Sequence, residues 1–292
     1  MIASRLDLGT RKFWRAVGRE IDLDGEHAWL RAPMSGDARV RDGWLAAEAS
    51  AYDGVVREDV PSAGLIADMR ELDGPGFDTG HLRPEIRDFY EHTSDWRMEV
   101  WVAWSPVFWP AGELISRAFG RRLDQLALPM RPLDVAQGMD SRVAVIADAE
   151  GTQRAAGWLR TLRTTGDYVF SGCYSVRALP GTDRAGVHVA FPLESGNVQV
   201  FLRPDHGDDG SLWLRSPGER FGGNGAYVVA QDRGHTYASR APIHETFHLY
   251  VDDEGVLRTD HTLSLWSAPA VRLHYKLERR ADPPRDHKSH FA

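Results

Sequence analysis

Four ionisable side chains recur at helical spacing in PEIRDFYEHTSDWRMEV, at Asp88, His92, Asp95 and Glu99. Steps of four, three and four residues would stack them along one side of a helix. Oxygen and imidazole groups one turn apart can hold a divalent metal, and a carboxylate beside a histidine is the usual setting of a general base. A charged stripe opposite an apolar one, here Ile86, Phe89, Tyr90, Trp96 and Val100, is also what any surface helix shows. Helical metal motifs normally draw a further ligand from elsewhere. The expectation is therefore no metal and no cofactor, with His92 and Tyr90 kept as acid/base candidates.

A second constellation lies in VLRTDHTLSLW, Val256 to Trp266. If Leu257, Leu263 and Leu265 point inward on a strand, Thr259 and His261 share their face, and Asp260 points out. His274 and Lys276 in AVRLHYKLE are expected outward as well. An inward histidine among leucines must either find a hydrogen-bond partner or face a cavity, where it would be a serviceable acid or base. A third group, Asp134, Gln137, Asp140 and Arg142 in PLDVAQGMDSRV, stands where a helical part would join a sheet. An Asp–Arg pair there could grip a polar group of a ligand, or simply close a turn.

Trp96, Trp101, Trp104 and Trp109 crowd one short stretch and would supply an apolar ligand wall, a core or a subunit interface. Pro106 and Pro110 interrupt the amphipathic surface that membrane-interface binding would want. Cys173 in YVFSGCYSV has no neighbouring His or Lys to activate it and is expected inert. Nucleophile elbows, phosphate loops and the dinucleotide fingerprint are absent, and FGGNG at Phe221 to Gly225 reads as a turn.

Two kinds of element must position these groups. Up to about residue 130 the pattern is helical or irregular. A short helix is expected from Thr10 to Ile21, and loops with brief helical turns pinned by Trp29 and Trp44 follow. Further helices are expected near Leu65 to Leu72, along one side of Pro84 to Val100, and from Leu114 to Leu126. Past Pro132 the period falls to 2. Strands are expected near 141–148, 153–163, 168–177, 187–193, 198–203, 212–215, 226–231, 236–240, 245–251, 256–266 and 271–277, joined by Asp/Asn/Gly turns. The fold class expected is thus α+β. A helical and loop-rich portion, 1–130, would pack on a large antiparallel β-barrel or β-sandwich, 133–280, around a shared core, with 281–292 a flexible tail.

Composition narrows the function classes. A net charge of −7 with arginines scattered among acids gives no support to a nucleic-acid role, so no nucleic-acid partner is expected. A single cysteine rules out an internal disulfide and a Cys-based zinc site. No window is apolar enough to span a bilayer and no secretory leader is apparent, so a cytoplasmic protein is expected. The leading functional expectation is binding of a hydrophobic or aromatic small molecule in a pocket of the β-domain. Cofactor-independent acid/base conversion such as isomerisation, cyclisation or hydration could accompany it, carried by His261, Asp140, Arg142, His92 and Tyr90, with the four tryptophans as ligand walls. The alternative is a non-catalytic interaction protein, a homo-oligomer included, that uses the Trp-rich segment as its interface.

Overall fold

From Met139 onward the period-2 alternation is realised as consecutive antiparallel strands in the computed structural model, which describes residues 17–36, 40–106, 138–216, 218 and 220–280. The strands are β1 (Arg19–Glu20), β2 (Val55–Arg57), β3 (Trp96–Trp104), β4 (Met139–Ala147), β5 (Gln153–Leu162), β6 (Tyr168–Ala178) and β7 (Ala185–Leu193). They continue as β8 (Gly196–His206), β9 (Leu212–Arg215), β10 (Gly225–Asp232), β11 (His235–Ala241), β12 (Ile243–Val251), β13 (Leu257–Leu265) and β14 (Ala268–Arg279). The hairpin chemistry is the expected one. Asp252 accepts from the Val256 N–H at 2.8 Å and Gly255 takes a left-handed φ of 77°, which closes β12 onto β13.

All fourteen strands belong to one sheet of order β2-β4-β5-β6-β7-β8-β9-β12-β13-β14-β3, with β10, β11 and β1 branching from β8. Strand β8 is the pivot. Its first residues pair with β7 and β10, and Arg203–His206 continue onto β9, carrying the sheet into its second half. The two ends, β2 and β3, are not hydrogen-bonded to each other, so the sheet is open.

The first half is buried on both faces. On β4, Val143 and Val145 join the main cluster with Trp158, Tyr174 and Leu249, whereas Ala144 and Ile146 face a second cluster with Trp44, Leu45 and Cys173. The short helix Leu45–Ser50 covers that second face, and Trp44 donates its indole N–H to Ser171 Oγ at 2.9 Å. Gly157 makes room for the fit, because a Cβ there would stand 2.5 Å from Leu45 Cδ2 and the leucine would have to move. Trp29 packs edge-on against Tyr227 in a third cluster. Both N-terminal tryptophans thus pin irregular chain to the sheet.

The helical expectation for the Trp-rich segment is corrected. The helix that begins at Pro84 ends at Glu91, a 3-10 turn follows at Thr93–Asp95, and Trp96 opens β3. Thr93 explains the stop. Its hydroxyl donates to the Phe89 carbonyl at 2.6 Å and accepts from Leu65 N–H at 3.3 Å, so it ties the helix end to another segment. WRMEVWVAW then alternates like any strand, with Trp96, Met98, Val100, Val102 and Trp104 toward the interior and Arg97, Glu99 and Trp101 outward. Residues 65–72 form only a 3-10 turn, Met69–Leu72, capped by Asp68, and Arg19–Glu20 pair with β11 instead of ending a helix. The helix expected over 114–126, with Trp109, Asp134, Gln137 and the tail 281–292, lies outside the described residues. Among the described residues the protein is therefore mostly antiparallel β-sheet with two short α-helices.

Candidate functional site

The inward-facing positions of the two halves of the sheet do not meet everywhere. Between them lies a cavity of about 150 Å³. One wall comes from β5 to β8, with Trp158, Arg160, Phe170, Tyr174, Val189 and Val200; the other comes from β12 to β14, with Glu245, Phe247, Thr259, His261, Leu273 and Tyr275. Met98 and Val100 of β3 line it as well. Helix Pro84–Glu91 turns Phe89 and Tyr90 into it and buries Ile86 beside them, each large apolar side chain contributing about 1.5–3 kcal/mol by leaving water.

Strand parity explains which residues arrive there. On β12 the positions 245, 247 and 249 line the cavity, on β13 the positions 259, 261 and 263, and on β14 the positions 271, 273 and 275. The intervening residues face out, where Asp260 accepts from His274 Nδ1 at 2.7 Å. The inward placement of Thr259 and His261 and the outward placement of Asp260 and His274 follow the alternation.

Five kinds of polar side chain break this apolar lining. His261 Nε2 lies 3.1 Å from Glu245 Oε2, and its ring stacks on Phe247 with centroids 3.7 Å apart. A carboxylate only accepts, so Nε2 carries a proton, and in the neutral ring Nδ1 is then the lone-pair nitrogen. That atom is buried and has no hydrogen-bond partner among the described residues. Arg160 reaches in from β5 and is 6% exposed. Burial pulls its pKa down, but a guanidinium keeps its proton in a protein. Its Nη2 contacts Met139 Sδ at 3.5 Å, its guanidinium carbon lies 5.4 Å from the Trp158 ring centre, and no carboxylate lies within ion-pair distance among the described residues. The hydroxyls of Tyr90, Tyr174 and Tyr275 are pushed up in pKa by burial and stay protonated. Thr259 supplies a further buried hydroxyl.

Of the residues singled out from sequence, the structure brings His261 and Tyr90 together in this cavity. Asp140 and Arg142 do not reach it. They share the parity of Ala144 and Ile146, opposite to Met139, and are engaged elsewhere: Asp140 with Arg163 at 2.8 Å, Arg142 with Asp42 at 3.0 Å and with Glu58. His92 stands at the helix end, 3.1 Å from Asp88, with its side chain 41% exposed. The Asp88/His92/Asp95/Glu99 stripe is dissolved by the switch from helix to strand. Asp95 accepts from Ser62 at 2.8 Å, and Glu99 sits on β3 beside Arg97. Trp96, Trp101 and Trp104 are likewise not in its lining, and Trp109 lies outside the described residues. Trp96 is buried outside the cavity lining, with its indole N–H on Asp88 at 3.1 Å, Trp101 faces out and is 49% exposed, and Trp104 packs in a separate cluster with Val271 and Leu273.

Sequence reasoning missed Arg160, Glu245, Tyr174, Tyr275 and Trp158. The signal was present in part. Arg160 shares parity with Ala156 and Trp158, and Glu245 with Phe247 and Leu249, so each is a charge at an inward strand position. Cys173, on the opposite face from Tyr174, is buried, and burial pushes its thiol pKa well up.

No family model matches the chain, and no solved structure matches it significantly. Over 222 residues, 76% of this chain, the sequence is 28% identical to the uncharacterized membrane protein YndJ of Bacillus subtilis strain 168. The match covers 39% of that protein, so the chain corresponds to well under half of its relative's length. Among the described residues no helix is long and apolar enough to cross a membrane.

Proposed function

We propose that the protein binds a hydrophobic or aromatic small molecule in the cavity between the two halves of its sheet, and that Glu245 and His261 carry out acid/base conversion of it. In this reading the two halves act as an incompletely closed barrel around the ligand. The observation that carries it is a half-buried carboxylate–histidine pair, 3.1 Å apart in an aromatic-walled cavity, whose buried Nδ1 atom has no partner among the described residues. Buried polar atoms are ordinarily satisfied, and one that is not is suited to a substrate proton. Glu245 would hold the ring and the tautomer, and Nδ1 would be the base. Proton transfer of this kind serves isomerisation, cyclisation and hydration alike.

Native mass spectrometry of gently purified protein, followed by calorimetric titration with toluene, tests the binding. Saturable binding that disappears when Leu273→Phe fills the cavity is the expected result. Absence of binding in the wild type removes the reading. Once a substrate is in hand, His261→Ala should reduce turnover by a hundredfold or more, within the range of about 10²–10⁴ for general acid/base catalysis; unchanged turnover removes the acid/base role.

One observation favours a second reading, an interface between copies. Strand β3 ends the sheet and presents Trp101 at 49% exposure. Light scattering on wild type and Trp101→Ser checks it. A monomer in both excludes it.

A further inference from the structure

The proposed cavity contains a charge that the Glu245–His261 chemistry does not use. Arg160 projects from β5, and the described residues place no carboxylate within ion-pair distance of it. An uncompensated buried ion is costly to keep, whereas a cation held ready for a ligand's charge is repaid on binding. Its surroundings are built for an anion. The guanidinium carbon is 5.4 Å from the Trp158 ring centre and 6.0 Å from that of Tyr275. The hydroxyls of Tyr174 and Tyr275 lie within electrostatic reach, and both are protonated donors. Arginines elsewhere on the sheet show the contrast: Arg142 and Arg163 each hold an aspartate, and Arg184, Arg203 and Arg215 share Asp205.

Resting on the small-molecule reading above, we propose that the ligand is a monoanionic aromatic or cyclic acid whose carboxylate is held by Arg160, with Tyr275 as the neighbouring donor. A planar fork of N–H groups matches a carboxylate in two parallel hydrogen bonds. The negative charge of Glu245, held by His261, sets the polarity. The ligand's anionic end goes to Arg160, and its neutral, reacting end goes to the Glu245–His261 pair. Size supports one ring. A cavity of about 150 Å³ is of the order that accommodates benzene in a protein core.

The test is calorimetric titration of the full chain with two acid/amide pairs, benzoate with benzamide and phenylacetate with phenylacetamide, and with toluene as the uncharged reference. At least one acid should bind about tenfold or more tighter than its own amide, the preference a charge-assisted hydrogen bond gives. Arg160→Met should erase that preference while still binding toluene, and Arg160→Lys should restore part of it. Acids and amides that bind equally overturn the anion assignment and leave the cavity reading standing, as does toluene binding with neither pair. If toluene fails as well, the cavity reading falls and takes the anion assignment with it. The acid-over-amide ratio in the wild type decides the matter even if Arg160→Met does not fold.

Discussion

The two faces of β6, β7 and β8 carry buried polar residues in opposite conditions. Toward the cavity stand Tyr174, Val189 and Val200; one residue away along each strand, toward the N-terminal segment, stand Ser175, His188 and Gln199. On that far side every donor finds an acceptor in sequence. Arg177 Nε donates to Ser175 Oγ at 3.2 Å, Ser175 to His188 Nδ1 at 2.9 Å, and His188 Nε2 to Gln199 Oε1 at 2.9 Å. Gln199 Nε2 then donates to the Leu30 carbonyl at 2.7 Å, and Asn197 Nδ2 to the Ala32 carbonyl at 3.2 Å. The chain of bonds fixes the tautomer of His188 and fastens irregular residues 30–33 to the sheet. Among the described residues, the cavity side has His261 with a bare Nδ1 and Arg160 without a carboxylate in ion-pair distance. The buried His188 and the half-buried His261 thus differ in how completely the described residues satisfy them. Completeness is what a structural role requires, and its lack beside a void is what a binding role leaves behind.

That contrast breaks most visibly in stability. His188→Ala should cost about 3 kcal/mol, because it strands the Ser175 hydroxyl and the Gln199 carbonyl and opens a void. Urea unfolding measures it, and toluene affinity should hardly change. A loss below about 1 kcal/mol would place His188 outside the structural class. Arg160→Met should go the other way, with stability unchanged or raised by about 1 kcal/mol, since an apolar side chain replaces a buried ion that has no ion-pair partner among the described residues.

The pH dependence of unfolding sharpens the same point. Burial holds the His188 pKa well below the ordinary histidine value. The unfolded chain therefore binds a proton that the folded chain refuses. Stability is fully present above the ordinary histidine pKa, about 6.5, and is lost as pH falls from there toward the folded value. His188→Gln should flatten the slope between pH 7 and pH 5. The smallest effect concerns Glu48, in the same layer as Arg177, whose carboxyl pKa is raised by burial. Here the folded chain holds the proton longer, so stability is greatest below the ordinary carboxylate range and declines as pH rises through the folded value. Glu48→Gln should remove that decline in unfolding curves taken from pH 4 upward.

Much of the β-architecture was legible. The turn residues and the alternation mark every strand from β4 to β14 close to where it lies, because a half-buried strand must alternate its side chains whatever it pairs with. The error at β3 has a physical origin in the same segment. Residues 84–100 satisfy a helical stripe and residues 96–104 satisfy an alternating one, and local periodicity gives the overlap to the helix. Pairing of Trp96–Trp104 with β14, in register from Arg279 to Val271, decides for the strand. A nine-residue partner ladder lies too far along the chain to be read locally.

The sequence by itself determined which residues could face inward. Alternation alone turns His261 and Thr259 one way and Asp260 the other, and it puts Arg160 and Glu245 on inward positions as well. Only the tertiary structure decided what they meet. Glu245 reaches His261 across a hairpin by a diagonal that depends on register, and Arg160 comes from the other half of the sheet. Parity is a property of one strand and is written in its residues. Proximity between strands is set by register and by the passage of β8 from one half of the sheet to the other, which no single stretch of sequence encodes.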